Sequence, residues 1–214
     1  MVVKVLRFVF FNLFVRPVLL IVLGLNVRHR ERLPRRGPAL LVANHNSHLD
    51  TMVLMGLFPY RKLHLVTPVA AADYFLSTRF MAWFSRNIIG IIPIARKREG
   101  DTGDPLQAIS AALDANKIVI FFPEGSRGEP EQMVDFKSGI ARLAERHPEV
   151  PVVPVFMHGL GKALPRGEAL LVPFVLDIFI GEALRWDGDQ QRFLDSVKSA
   201  ILALANALPS RGWE

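Results

Sequence analysis

Residues 39–58 read ALLVANHNSHLDTMVLMGLF. Ala39 to Ala43 is a short, wholly apolar run, the pattern of a strand buried on both faces. Leu49 to Phe58 is again apolar but longer, and reads as a helix. Between them lie five consecutive positions, Asn44 to His48, all polar. A strand that delivers polar residues at its carboxyl end, before a helix, marks the place where α/β folds put their sites. The same alternation continues outward. Strand-like segments are expected at 63–67, 88–95, 117–122, 152–156 and 175–180. Helices are expected at 78–87, 105–115 (capped by Asp104, with Pro105 in its first turn), 137–146 and 189–208. Strands alternating with helices predict an α/β domain whose central sheet is mostly parallel and flanked by helices.

The chain has 214 residues, half of them hydrophobic, and no cysteine. That length supports one domain with a substantial core, and the apolar fraction excludes intrinsic disorder. The absence of cysteine excludes disulfide scaffolds, thiolate-held metals and a cysteine nucleophile. The formal charge of +6 is unevenly spread. Residues 1–36 hold eight basic residues and one acid, net +7, which leaves the rest at −1. A nucleic-acid binder would spread its positive charge over a folded face. Here the charge flanks the most apolar stretch, residues 5–27, which favours a membrane surface and no nucleic acid.

Arg7, Asn12, Arg16 and Pro17 interrupt that stretch. An arginine at the centre of a lipid-facing helix costs about 2.5–3.5 kcal/mol on insertion scales. Two short helices, broken at Arg16-Pro17 and lying in the interface, are therefore expected rather than one span. Residues 1–36 are assigned as a membrane-associating helical segment and 37–214 as the main domain. Five arginines between 28 and 36 act against translocation and keep that domain on the cytoplasmic face of the cell inner membrane. Each basic residue near an anionic leaflet contributes on the order of 1 kcal/mol.

Two polar clusters carry candidate chemistry. In the first, His45 can take a proton near neutral pH, and Asp50 follows five residues on. In one continuous helix the two would point about 140° apart. They meet only if His45 precedes the helix and Asp50 lies in its first turn, a break that Asn46 and Ser47 favour as caps. A carboxylate on one imidazole nitrogen makes the other a better base, a contribution of about 10²–10⁴ in rate. Ser47-x-x-Asp50 is also a capping box, which needs no catalysis. A metal held by His45, His48 and Asp50 lacks a known ligand spacing. The second cluster is Phe121-Phe122-Pro123-Glu124-Gly125-Ser126-Arg127-Gly128. Its glycines permit close backbone approach to a ligand, and Arg127 offers a planar fork for a phosphate. Glu124 either holds Arg127 or bonds a substrate hydroxyl. Gly90 to Arg96 supplies a further arginine.

Taken together, these segments resemble the glycerophospholipid acyltransferase family, the PlsC-like type that acylates lysophosphatidic acid. The family carries N-H-x4-D, G-x5-R and F-P-E-G-[ST]-R blocks and a V-P-V-x-P-V-like strand. This chain has Asn44-His45…Asp50, Gly90…Arg96, Phe122-Pro-Glu-Gly-Ser-Arg127 and Val150-Pro-Val-Val-Pro-Val155, with Phe136-Lys137-x-Gly139 after the third block. The resemblance implies a 1-acylglycerol-3-phosphate acyltransferase in which His45, supported by Asp50, deprotonates a lysophospholipid hydroxyl. That oxygen would attack acyl-CoA or acyl-carrier protein. Arg96 and Arg127 would bind the acceptor phosphate, with Glu124, Gly125 and Ser126 shaping the site. Backbone N–H groups at the helix start or the Gly125 turn would stabilise the oxyanion. No metal and no bound cofactor are implied. The same chemistry on another lysophospholipid or lyso-aminolipid, a thioesterase, and a non-enzymatic membrane-binding protein are the competing readings.

Overall fold

The computed structural model describes residues 2–47, 49–94, 103–125, 134–163, 172 and 174–208. The chain opens with helix α1 (Val2–Val22) and then alternates as expected. The elements are β1 (Leu25–Arg28), β2 (Ala39–Ala43), α2 (Asp50–Gly56), β3 (Val66–Ala71), α3 (Ala72–Phe75), α4 (Arg79–Phe84) and β4 (Ile92–Ile94). There follow α5 (Gln107–Asp114), β5 (Ile118–Phe121), α6 (Gly139–Arg146), β6 (Val152–His158), α7 (Leu160–Ala163), β7 (Leu176–Ile180) and α8 (Gln190–Asn206).

The strands form one sheet in the order β1-β7-β6-β2-β5-β3-β4. Every neighbouring pair is parallel except β6 with β7. The mostly parallel α/β architecture read from the alternation is therefore present. β2 lies centrally, between β5 and β6, and all five of its residues are buried. Its alternate side chains feed two separate cores. Ala39, Leu41 and Ala43 join the core that includes α1 and α2, while Leu40 and Val42 join the one built from α5, α6 and α8. Burial on both faces explains why this strand is continuously apolar.

Element boundaries differ from the sequence reading in three places. Residues 25–27, read as the end of the apolar stretch, form with Arg28 an edge strand paired with β7. Residues 60–65 form a tight helical turn before β3 where a strand at 63–67 was expected. Ile88 and Ile89, read as strand from their β-branching, complete the helical turn after α4, which Gly90 ends in a left-handed conformation. In both of the latter cases the local packing of apolar side chains outweighs intrinsic strand preference.

Pro17 does not divide the first helix. The backbone hydrogen bonds around it step five residues instead of four, Arg16 N–H to Phe11 C=O and Leu23 N–H to Val18 C=O. The widened turns accommodate a residue without an N–H. The expected helical pair is thus one continuous helix. It packs on the domain along Phe11, Val15, Leu19 and Leu23, all buried. Gly56 of α2 allows that approach, because a Cβ there would stand 2.6 Å from Leu19 Cδ1. Both interrupting arginines turn inward. Arg7 donates to the Leu63 and Ile89 carbonyls, and Arg16 to Asn12 Oδ1 at 2.7 Å and the Phe58 carbonyl at 2.9 Å. Neither guanidinium needs to enter lipid. The opposite face is apolar and bare, with Leu13 65% and Ile21 82% exposed.

The arginines beyond the helix are also partly engaged by the protein. Arg28 lies over the Phe179 ring, Arg30 donates to Leu57 C=O, and Arg32 reaches Ile180 C=O and Glu182. Arg35 and Arg36 remain exposed. The +7 charge of the N-terminal segment therefore serves both to fasten this segment to the sheet and to colour its outer surface.

Candidate active site

The adjacent strands β2 and β5 release the chain at the same edge of the sheet, so Asn44-His45 and Phe122-Pro-Glu124-Gly125 emerge side by side. The exit of β2 is fixed by Asn44. Its carboxamide donates Nδ2–H to the Met157 carbonyl and accepts the Met157 N–H, both at 2.8 Å. One side chain thus extends the β2–β6 ladder past Ala43 and satisfies groups that are buried.

After Asn44 the chain kinks and His45 stands before α2 while Asp50 begins it. His45 Nδ1 lies 2.8 Å from Asp50 Oδ2. The same oxygen accepts the backbone N–H of Asn46 at 2.6 Å and of Ser47 at 2.9 Å. Asp50 is fully buried. Burial pushes its pKa up, and the hydrogen bonds from His45, Ser47 and Asn46 pull against that. The capping box expected from Ser47-x-x-Asp50 is half formed. Asp50 reaches back to the Ser47 amide, but the Ser47 hydroxyl oxygen accepts from Leu49 N–H at 3.3 Å. Capping and imidazole support are therefore one arrangement, and the two readings of Asp50 do not compete.

The imidazole is held on its flat side as well. Phe122, at the exit of β5, stacks on it with ring centroids 4.2 Å apart and planes 19° from parallel. With Nδ1–H donated to Asp50, the lone pair sits on Nε2. The ring is clamped at one edge and one face, yet the side chain keeps 20% of its surface exposed. Such a group can accept a proton from a hydroxyl brought to Nε2.

Glu124 completes the assembly from the β5 side. Its Oε1 accepts the His45 backbone N–H at 2.9 Å, and its buried Oε2 has no hydrogen-bond partner among the described residues. Burial raises its pKa to about 7, against the opposing pull of the His45 amide and charge and the Val134 amide. The sequence reading gave Glu124 to Arg127 or to substrate; its observed partner is the His45 backbone.

Several amides at the helix start and the Gly125 turn are already engaged. His45 N–H goes to Glu124, those of Asn46 and Ser47 to Asp50, Leu49 N–H to Ser47 Oγ, Asp50 N–H to the Ser47 carbonyl, and Gly125 N–H to the Phe122 carbonyl. These amides hold the kink and the turn; those of residues 48 and 126–128 lie outside the described residues. No group of three or more His, Asp or Glu capable of holding a metal occurs among the described residues.

Of the residues singled out from the sequence, His45, Asp50, Glu124 and Gly125 come together. His48, Arg96, Ser126 and Arg127 lie outside the described residues. Three contributors were not anticipated: Asn44 as the anchor of β2, Phe122 as the stacking partner, and Lys137. A Cβ at Gly125, whose φ is +71°, would stand 2.7 Å from Lys137 Nζ. The signal for Lys137 was its place in Phe136-Lys137-x-Gly139, without a role attached.

Residues 24–158 match the family model described as "Acyltransferase", a range that holds the kink, the turn and their strands. The chain belongs to this acyltransferase family. Among its relatives, the chloroplastic 1-acyl-sn-glycerol-3-phosphate acyltransferase LPAT1 of Arabidopsis thaliana is 30% identical over 144 residues, 67% of this chain and 38% of that protein. The human 1-acyl-sn-glycerol-3-phosphate acyltransferase alpha is 31% identical over 134 residues, 61% of this chain and 44% of that one. The chain thus spans less than half the length of these two relatives. The crystal structure of the 1-acyl-sn-glycerophosphate (LPA) acyltransferase PlsC from Thermotoga maritima superimposes with a TM-score of 0.74. It covers 94% of this chain and 79% of its own at 19% identity, a likeness of fold.

Proposed function

We propose that this acyltransferase moves a fatty acyl group from a thioester to the free hydroxyl of lysophosphatidic acid, giving phosphatidic acid. The observation that carries the proposal is the 2.8 Å contact between His45 Nδ1 and Asp50 Oδ2, in a ring also stacked on Phe122. Family membership and the names of the relatives supply the reaction class and the acceptor.

In this reading Nε2 of His45 removes the hydroxyl proton as the oxygen attacks the thioester carbonyl. The resulting imidazolium is stabilised by Asp50 and returns its proton to the departing thiolate. Transfer is direct, with no acyl-enzyme and no bound cofactor, and the donor is acyl-CoA or acyl-carrier protein. Arg96 and Arg127 are assigned to the acceptor phosphate. Incubation of the purified chain with lysophosphatidic acid and mixed acyl-CoAs, followed by mass spectrometry, tests the proposal. Phosphatidic acid supports it; free fatty acid formed without regard to acceptor favours the thioesterase alternative, and acylation only of other lysolipids moves the acceptor assignment.

The bare face of α1 is proposed to lie on the cytoplasmic surface of a membrane. Leu13, Phe14, Leu20 and Ile21 on that face are supported by a neighbouring aromatic group. Phe10 meets Phe84 edge to face at 5.1 Å, Phe84 stacks with Phe80, and Phe80 and Trp83 are 72% and 41% exposed. An exposed apolar surface of this kind suits the interface between acyl chains and head groups. The arrangement lets a bilayer lipid reach the site without moving its chain into water, at ~0.8 kcal/mol per CH₂.

A further inference from the structure

The turn Phe122 to Gly125 has two sides. The buried carboxyl of Glu124 faces His45, and the exposed side chain of Lys137 lies across Gly125. A Cβ built on Gly125 would stand 2.7 Å from Nζ, 3.0 Å from Cδ and 3.1 Å from Cε of that lysine. The glycine, at φ +71°, leaves the lysine this close approach. The backbone N–H of Lys137 also donates to the Pro123 carbonyl at 2.9 Å, which fastens the main chain to the turn below the side chain. Among the described residues no carboxylate forms an ion pair with Lys137, whereas Lys198 pairs with Asp135 at 2.6 Å. An ammonium with no counter-ion among the described residues, beside the turn that holds the His45 backbone, is placed for an anion brought by substrate.

We infer that Lys137 binds a substrate phosphate at the Gly125 turn. This rests on the acyltransferase reading and adds to it a cation that reading does not use. The phosphate comes from one of two sources, the monoester of the lysophosphatidic acid acceptor or the phosphates of a CoA donor. Lys137 acts by direct contact with that anion, and its three donors match phosphate oxygens.

Steady-state kinetics of the full chain, with lysophosphatidic acid and acyl-CoA varied separately, separates the sources. Losing one charge-assisted contact should raise one KM about tenfold in Lys137→Ala, with kcat changed less than about twofold and Lys137→Arg largely restored. A rise for the acceptor assigns the phosphate monoester; a rise for acyl-CoA assigns the donor. Lys137→Gln provides a second uncharged variant should the alanine variant fold poorly, and Lys198→Ala controls for loss of surface charge. Broadening of the phosphorus NMR signals of glycerol 3-phosphate and coenzyme A on titration with protein reads the contact without turnover. A wild-type chain that acylates nothing would therefore count against the acyltransferase reading alone, provided the broadening still depends on Lys137. Unchanged KM values and unchanged broadening in Lys137→Ala, or equal losses in Lys198→Ala, overturn the inference.

Discussion

Glu124 Oε1 accepts the backbone N–H of His45 at 2.9 Å, from the neighbouring strand and across 79 residues of sequence. Two motifs distant in the chain are thereby one unit. The carboxylate at Asp50 sets the imidazole, and the carboxyl at Glu124 sets the main chain that bears it.

Replacement of Glu124 by glutamine should keep an acceptor for the His45 amide while removing a titrating group. Burial raises the pKa of Glu124 from 4.5 to about 7 in the folded chain. A raised carboxyl means the folded state binds the proton more tightly. Wild-type stability therefore falls between about pH 4.5 and 7 through this group and levels off above, a change on the order of 3 kcal/mol. Denaturant unfolding at pH 5 and pH 7.5 should show wild type losing stability relative to Glu124→Gln as pH rises. Parallel pH dependence in the two proteins contradicts the assignment.

Asp50→Asn should lower kcat by about 10²–10⁴, because the imidazolium formed during transfer loses its carboxylate. Asp50→Ala should in addition lose stability by about 2–4 kcal/mol, since two backbone N–H groups and His45 lose a buried acceptor. Chemical denaturation alongside rate measurements separates the two effects.

Phe122→Leu keeps an apolar side chain at the exit of β5 but removes the ring stacked on His45. A fall in kcat with under about 1.5 kcal/mol of destabilisation is expected. Equal kcat in the two proteins would deprive the stacking of any part in positioning the base.

Arg16→Met should destabilise the chain by about 1–3 kcal/mol, through the unsatisfied Phe58 carbonyl and the lost Asn12 contact. Ile21→Asp and Trp83→Ser, both at exposed positions, should leave thermal unfolding almost unchanged yet weaken sedimentation with anionic liposomes. A reversal of these two patterns would place the core and lipid faces of α1 the other way round.

The strand cores were legible in sequence because β2, β5 and β6 are buried on both faces and so read as unbroken apolar runs. The meeting of His45 and Asp50 was legible too, since five-residue spacing permits contact only across a kink. Long-range polar contacts were not. Nothing local to Glu124 points to the His45 amide, and nothing local to Arg16 points to the carbonyl of Phe58. The helix around Pro17 was misread for the same reason: a proline argues for a break, whereas packing along Phe11, Val15, Leu19 and Leu23 keeps the helix whole with wider turns. Engaged amides cannot be seen in sequence either: those of His45, Asn46 and Ser47 are already held by Glu124 and Asp50.

The central claim is that the imidazole of His45 takes the acceptor's proton. Its most direct measurement is the single-turnover rate of His45→Ala and of wild type with lysophosphatidic acid and acyl-CoA, on protein matched for folding and liposome binding. The expected result is a loss of at least about 10² in that rate with substrate affinity retained. Transfer at a rate near that of wild type would contradict the account.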